Sequence, residues 1–548
     1  MRIIFSNIVL YNVEYLKKNL TIGLNEHTYE ELCILAYKKW GVSLFSHLDG
    51  DYAFALYDAK TNSYFAARDP LGIKALYYTK TSTGYHFAST VSELLTIPSV
   101  IKKPNLKSVK SMLGRFEVAY EDTMFEGIYR IPPGYVIRIT NNKLEKIRYW
   151  YPEKIKRDYS ISSKEASDKL YKLLSEAIDK RVDNLDTTAF EVSGGLDSSS
   201  IVSLLSQKVD ATKIESFSMQ LEGLVCDEGD YVDSIIKKYG INHKKIPCQK
   251  LDYADEYSLS KLYHVSSDWP IRFAPAMKLK ISSIMQKANK SIIITGQGGD
   301  QLFGRNPYTF YDLFIRGKFL TLYRELRYFT KPFSLIKKRI IKHLIGVENI
   351  EYIKRILFNK KYKITFENEK IEDFSDKIGV SECIFKNDID AITSMKHITI
   401  LDANFLHPVE SHFNIEFRHP FYDLALVEFA LSLPPRFNSS EGQSKWILRK
   451  AMKGILPEMI NNRKDKAEFS DILEQHIEAV DVDALLKDAY LLKLGIVSQE
   501  YIDAVRAKYA KEKSKKPVHP WMLINMEYWY RFNFEKESLV AIDKKETV

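Results

Sequence analysis

Cysteine is scarce in this chain: Cys33, Cys226, Cys248 and Cys383 are the only four among 548 residues. They are widely scattered, form no CxxC pair and have no histidine at metal-ligand spacing. That argues against a disulfide framework and a zinc site, and for free thiols in a reducing cytosol. No apolar run approaches the roughly 18 residues that a membrane span requires. The opening Met1-Arg2-Ile3-Ile4-Phe5-Ser6-Asn7 lacks a sustained apolar signal segment and a small-residue cleavage site. A cytoplasmic protein with no membrane span is the expectation. Neither sign of charge dominates, since 80 lysines and arginines face 71 aspartates and glutamates. The net of +9 is mild for this size and does not indicate nucleic-acid binding. Internal repeats and low-complexity tracts are missing as well. What remains is ordinary globular composition, 45% hydrophobic and 28% charged, enough to bury sizeable cores. At roughly 150 residues per domain the length excludes a single small module.

The chain divides into two kinds of text. Up to about Tyr151, short apolar runs are broken by turn signals. Asp51–Asp58 stops at Ala59-Lys60-Thr61-Asn62-Ser63 and Tyr64-Phe65-Ala66-Ala67 resumes, which reads as a hairpin. This half is expected to be an α+β domain dominated by antiparallel strands. A polar linker, Glu153 to Ser163, then gives way to helical periodicity. Strands at Thr187–Val192, Glu215–Met219, Lys244–Ile246 and Ser291–Thr295 alternate with helices, among them Lys164–Arg181 and Ser199–Lys208, which predicts a parallel sheet covered on both faces. Beyond Phe303 the text is read as mostly helical.

Chemistry concentrates at two glycine turns that follow strands. Ser193-Gly194-Gly195-Leu196-Asp197-Ser198-Ser199 supplies close backbone approach, hydroxyls and the free N–H groups of a helix start, an anion cradle. It lacks the Gly-Lys-Ser/Thr of a Walker loop. Its aspartate would repel phosphate unless a divalent cation bridged them, so Asp197 implies Mg²⁺. Gly296-Gln297-Gly298-Gly299-Asp300 follows the second buried strand; alone it is also good turn chemistry, but in a parallel sheet both turns can converge on one crevice. Asp300 would then be the second carboxylate on the metal. A third element, Asn462-Arg463-Lys464-Asp465-Lys466, is either a solvated charge run or a cationic loop that offsets charge on departing pyrophosphate.

Between Tyr311 and Lys370, fifteen lysines and arginines face six acids, an excess equal to the net charge of the whole chain. Aromatic residues, including Phe314, Tyr323, Tyr328 and Phe329, are interleaved with them. The stretch reads either as an amphipathic helical insertion with a solvated face or as a docking surface for an acidic partner or peptide.

Together these motifs resemble the asparagine synthetase superfamily. The resemblance is carried by Leu48–Ala55, Arg68–Tyr78, Ser193–Ser199, Gly296–Asp300, Arg418-His419-Pro420-Phe421-Tyr422-Asp423 and Ser444-Lys445-Trp446-Ile447-Leu448-Arg449. It implies a multidomain α/β fold. Residues 1–155 would form a class II glutamine amidotransferase-like (Ntn-type) sandwich. Residues 156–548 would form a parallel-sheet ATP-pyrophosphatase domain, with a basic helical insertion at about 305–395. In such a site Ser193, Gly194, Gly195, Asp197, Ser198, Ser199, Gly296 and Gly298 would surround the phosphates of ATP. Asp197 and Asp300 would hold Mg²⁺, and the strand end at Ser218 and Met219 would contact adenine and ribose. Lys466 matches the family's catalytic lysine counted back from Phe469-Ser470-Asp471; the loop is one residue longer than in relatives, which leaves Lys464 as the alternative.

The departures from the family pattern matter as much. A family glutaminase carries a cysteine directly after the initiator methionine, where this chain has Arg2, and Tyr11-Asn12-Val13-Glu14 is the nearest echo of the glutamine-binding Asn-Gly-Glu. The expectation is a truncated first domain without glutaminase activity. An ATP site kept without a glutaminase is similar to β-lactam synthetases and to lasso-peptide macrolactam synthetases. Gly-Gln-Gly-Gly-Asp replaces the Gly-Glu-Gly-Ser-Asp of asparagine synthetases, and Gln297 has no acid or base function. The turn, running into Gln301-Leu302-Phe303-Gly304, is similar to that of lasso cyclases. The expected reaction is macrolactam closure of a precursor peptide, with a leader-binding protein and a leader peptidase as partners. An ammonia-dependent asparagine synthetase, a small-molecule amide synthetase and an inactive binding scaffold are the alternatives.

Overall fold

A computed structural model describes the chain except residues 23–26, 115–120, 249, 254–255, 272–274, 305–308, 330–335, 337–339, 341–405, 465–469, 512–517 and 540–548. The first region is built on an antiparallel sheet ordered β1-β2-β3-β7-β8 (Arg2–Leu10, Gly50–Asp58, Ser63–Arg68, Tyr135–Thr140, Lys143–Arg148). A smaller sheet, β5-β4-β6, is formed by Gly84–Ala88, Tyr77–Thr81 and Ile128–Arg130. The expected hairpin is β2–β3, which pairs Phe54 with Ala67 and Leu56 with Phe65. Alternation along β2 sorts its side chains. Tyr52, Phe54 and Leu56 pack toward helices α1 (Val13–Leu20) and α2 (Tyr29–Trp40), whereas Ala53 and Ala55 share a second cluster with Leu76 and Tyr78 at the small sheet. Helix α2 starts where Thr28 and Glu31 form a reciprocal capping box, which satisfies two end N–H groups.

The second region opens with α3 (Ser163–Asp179), capped in the same way by Ser162 and Glu165. Its stripe Ala166, Leu170, Leu174, Ala177 and Ile178 is buried at helical spacing. The sheet beneath is wholly parallel, in the order β11-β10-β9-β12-β13: Asn242–Pro247, Glu215–Gln220, Thr188–Glu191, Ile292–Ile294 and Glu416–Arg418. Both faces are covered, and strand β12 is accordingly a continuous apolar run, Ile292–Ile294. Phe190, Ile292 and Ile294 point into one core, and Ala189, Phe217, Ile293 and Phe417 into the other. Helix α4 (Leu196–Leu205) crosses from β9 to β10 and α5 (Gly229–Tyr239) from β10 to β11. The chain then returns to β12 on the other side of β9. The strand order therefore reverses between β9 and β12, the place where open α/β sheets bind ligands.

One sequence expectation changes. Helix α4 opens at Leu196, three residues before the expected start near Ser199, so Asp197 and Ser198 sit in its first turn rather than in a loop. Beyond Phe303 the described residues are mostly helical, as expected, with β13 and the short hairpin β14–β15 (Ser439–Ser440, Gln443–Ser444) between the helices. Strand β13 escapes a hydropathy reading because two of its three residues, Glu416 and Arg418, are charged; they pair with each other and with Lys74 and Asp183. Of the basic insertion, only residues 309–329, 336 and 340 are described. No helix among the described residues is long and apolar enough to cross a membrane.

The two regions share a core and a band of buried charge. Phe125 meets Trp529 edge-on at 5.5 Å. Lys74 Nζ lies 2.9 Å from Glu416, and Lys180 bridges Asp49 at 2.9 Å and Asp423 at 3.1 Å. Arg181 reaches Asp423 at 3.1 Å and Asp51 at 3.8 Å, while Tyr11 donates its hydroxyl to Asp51 at 2.6 Å. The backbone N–H of Ala75 donates to His407 Nε2 at 2.7 Å.

Candidate active site

The turns after β9 and β12 lie side by side at the switch point. Their contact requires glycine. A Cβ on Gly296 would come within 2.5 Å of the Ser198 backbone nitrogen, and one on Gly299 within 2.2 Å of the Asp197 carboxyl carbon. Gly298 adopts φ +100° with Phe421 and Tyr422 behind it, a conformation that side chains disfavour. The first turn is organised by its own serines: Ser193 N–H donates to Ser198 Oγ at 3.0 Å, and the two hydroxyls are 3.0 Å apart. The Gly195 N–H donates to Ser193 Oγ at 3.4 Å. Ser199 is fully buried, and its hydroxyl has no hydrogen-bond partner among the described residues.

Behind the second turn, the Gln297 N–H donates to Thr295 Oγ1 at 3.2 Å, and that hydroxyl is 2.8 Å from His419 Nδ1. Complete burial lowers the His419 pKa to about 3, so the ring is a neutral strut. The Arg418-His419 pair thus supports the glycine turn: Arg418 O also receives the Thr295 N–H at 3.1 Å.

Asp197 and Asp300 do converge, and the group between them is a lysine to which the sequence motifs assign no role. Lys445 Nζ lies 2.5 Å from Asp197 Oδ2 and 2.8 Å from Asp300 Oδ1. Burial works against its charge, but the two carboxylates outweigh that and raise its pKa. Lys445 stands at φ 55°, left-handed, at the junction of hairpin β14–β15 and helix α11 (Trp446–Ala451; α6–α10 are Pro275–Lys287, Gly299–Phe303, Thr309–Ile315, Phe319–Leu326 and Leu424–Ser432). A non-glycine residue held there is the strained geometry that clusters at functional sites.

Of the cationic loop, Arg463 rather than Lys464 touches the phosphate cradle. Arg463 donates to Gly194 O at 3.3 Å, pairs with Glu228 and lies 4.0 Å over the Tyr231 ring. Arg449 fixes this loop by donating to Arg463 O and Ser444 O, each at 2.8 Å, and to Asn461 O. Lys464 is exposed, and Lys466 lies outside the described residues. At the proposed adenine edge, Ser218 Oγ is 2.9 Å from His243 Nε2, and His243 Nδ1 is 2.8 Å from Ser216. Burial holds the His243 pKa at about 4. The Ser218 hydroxyl is therefore committed within the sheet, and Met219 packs against the core beside it.

The donor set suits Mg²⁺. Among the described residues no group of three or more His, Cys, Asp or Glu side chains gathers for a metal. Mg²⁺, however, is held by one or two carboxylates together with substrate phosphates rather than by a complete protein cage, and Asp197 and Asp300 beside a hydroxyl-rich turn are such a pair.

A parallel sheet with two glycine turns at its switch point, set against an antiparallel amidotransferase-like region, defines a mixed α/β synthetase architecture. The asparagine synthase model matches residues 169–531, and the glutamine amidotransferase domain model matches residues 1–150. The chain belongs to the asparagine synthase family. It is 26% identical over 481 residues to Asparagine synthetase (glutamine-hydrolyzing) 3 of Bacillus subtilis strain 168, covering 83% of this chain and 73% of that protein. Amidase chry2 of Gibberella zeae is 26% identical over 494 residues, 80% of this chain and 72% of the relative. Asparagine synthetase (glutamine-hydrolyzing) 1 of Bacillus subtilis strain 168 is 23% identical over 580 residues, 97% and 85% of the two chains. The chain is thus an asparagine synthetase-like member of an ATP-dependent, amide-forming ligase family.

Proposed function

We propose that this chain adenylates a side-chain carboxylate of a precursor peptide and closes a macrolactam with the peptide's N-terminal amine. The observation that carries the adenylation reading is the convergence of Asp197, Asp300 and Lys445 on a hydroxyl-lined cradle at the switch point. Ser193, Gly194, Gly195, Ser198 and Ser199 would hold ATP phosphates through N–H groups and hydroxyls at the start of α4. Asp197 and Asp300 would hold Mg²⁺, which when bound neutralises charge on the pyrophosphate leaving group. Lys445, already held charged, would follow the same phosphates, and Lys466 or Lys464 would close on the reaction centre from the loop anchored by Arg449. A carboxylate oxygen attacks the α-phosphorus and pyrophosphate leaves. The amine then attacks the acyl carbon, AMP leaves with the C–O bond electrons, and the amine proton passes to solvent or a base. Both groups belong to one folded substrate, so proximity can contribute about 7–11 kcal/mol.

Cys33 supports a nucleophile other than glutamine-derived ammonia. It is the one cysteine of residues 1–155. It is fully buried in the core under α2, and burial raises its pKa to about 12. Such a thiol is not a nucleophile. The asparagine synthetase reading is favoured by a different observation, the activity for which the Bacillus subtilis relatives are named. Mass spectrometry of the chain with ATP, Mg²⁺ and trimmed precursor peptides separates the two. A product lighter by one water, with AMP and pyrophosphate, is the expected result. Unchanged peptides, with aspartate and ammonia converted to asparagine, would replace it with the second reading.

A further inference from the structure

Helices α8 and α9 sort their residues in an unusual way. Both acids of this segment face inward: Asp312 accepts from the Tyr159 hydroxyl at 2.7 Å, and Glu325 accepts from Ser440 Oγ at 2.5 Å and the Glu441 N–H at 2.9 Å. Leu313 and Leu322 are buried with Phe310. The outward face carries Phe319, Leu320, Tyr323 and Tyr328 at 59%, 77%, 64% and 58% exposure. Arg316, Lys318, Arg324 and Arg327 are exposed among them. Large apolar groups that a core would normally take are therefore in solvent, among exposed cations with no exposed acid on either helix. A contiguous apolar patch framed by charge marks an interaction surface, and aromatic and arginine residues are the side chains that carry binding energy at such surfaces.

The inner face of the same segment touches the catalytic side. Glu325 grips the turn of hairpin β14–β15, and a Cβ on Gly442 would meet Tyr328 Cβ at 3.0 Å. The Thr309 hydroxyl donates to Pro435 O at 3.0 Å. One strand of two residues separates this turn from Lys445. A ligand on the outer face would stand one hairpin from the site at which its carboxylate is to react.

We propose that the exposed face of α8–α9 docks an acidic, apolar segment of the peptide substrate; the substrate class rests on the macrolactam reading above. Charge complementarity selects acidic over basic peptide, and the aromatic and leucine side chains supply anchors that a purely ionic surface would lack. Anchoring a flexible chain there raises the effective concentration of its reactive end at the cradle.

The test measures binding without turnover, in the full chain and in the absence of ATP. The probe is a fluorescein-labelled synthetic helix of glutamate and leucine, with a glutamine–leucine peptide as control. Binding of the acidic probe should weaken with salt. It should fall about tenfold or more in Arg324→Glu/Arg327→Glu and in Leu320→Ser/Tyr323→Ser, whose melting temperatures should match the parent. Equal binding of both probes, undiminished binding by both variants, or capture by anionic vesicles that the acidic probe does not compete would each overturn the proposal. Ring closure with no effect of either variant on peptide KM overturns the docking surface and keeps the macrolactam reading. Probe binding lost in the variants, in a chain that closes no ring, does the reverse.

Discussion

Two clusters of charge differ in how their signs are arranged. At the junction of the two regions, Lys180 and Arg181 face Asp49, Asp51 and Asp423, while Lys74 and Arg418 face Glu416, Glu410 and Asp183. The groups there also satisfy one another with hydroxyl and backbone donors. At the switch point, Asp197 and Asp300 come from two separate turns and meet at Lys445, and those turns pack so closely that their glycines leave no space for a side chain. A closed network stabilises a single arrangement of two regions. At the switch point the two acids are brought together from separate turns and Asp300 faces solvent, an arrangement open to a ligand in a way that a fastening is not.

The sharpest way to break this contrast is to neutralise one charge in each cluster. Asp197→Asn should lower ATP–pyrophosphate exchange by about 10²–10³-fold, the scale of losing one electrostatic contact to a reacting phosphate. Its urea-unfolding midpoint should stay near the parent's, because the change also relieves repulsion from Asp300. Exchange that survives intact would show that Asp197 does not serve the phosphates. At the junction the balance reverses. Arg181→Met leaves Asp51 and Asp423 buried without their guanidinium and should cost about 3–5 kcal/mol in urea unfolding. A cost below about 1 kcal/mol, the range of surface pairs, would mean that the junction is not a closed network.

Titration sharpens the account of the junction on the acid side, where Glu410, Glu416 and Asp423 are depressed although burial raises Asp51. Burial opposes ionisation of Glu410, but Lys74 and then His407 outweigh it and hold its pKa at about 2. Lys74 and Arg418 lower Glu416, and Arg181 and Lys180 lower Asp423, in the same way. A carboxylate depressed in the folded state contributes stability above its ordinary value of 4.5, and that contribution is lost as pH falls toward 2. Lys445 at the switch point and Lys74 and Lys180 at the junction are all raised above 10.5, so their contributions are complete below that value and fade only as pH climbs through the higher folded values. Unfolding midpoints followed from pH 7 downward should therefore fall more steeply for the parent than for Arg181→Met, whose junction has already lost part of the coupling. Parallel curves would contradict this account.

The parts of the site written as local patterns are legible in the amino-acid sequence alone. Glycine turns after buried strands declare themselves through residue type and position, and both end where a parallel sheet requires. The early start of α4 is not legible, because Gly195 caps it without a side-chain signal and Leu196-Asp197-Ser198 reads as easily as loop. Strand β13 is hidden because two of its three residues are charged, and what buries them, besides their own pairing, lies hundreds of residues away, Lys74 above all. Lys445 is visible as part of a family motif, but its role depends on two aspartates from separate turns. Long-range ion pairs have no period in sequence, and that is why the junction network has no sequence signature either.

The smallest expected effect concerns the cationic loop, where the choice between two lysines can be made by contrast. Lys464 is exposed, and the neighbouring contacts to the cradle are made by Arg463, whose side chain reaches Gly194 O and Glu228. Arg449 clamps the backbone through Asn461 and Arg463, so the loop enters the site already fixed up to that point. A side chain immediately after the clamp and turned to solvent has little to lose. Lys464→Ala should change stability by no more than about 0.5 kcal/mol, the usual bound for surface substitutions, and should leave pyrophosphate exchange within about twofold of the parent, whereas Lys466→Ala should reduce exchange by about 10²-fold if that ammonium meets developing charge. A large loss in Lys464→Ala with a mild one in Lys466→Ala would move the catalytic ammonium two residues back along the loop and place it beside Arg463.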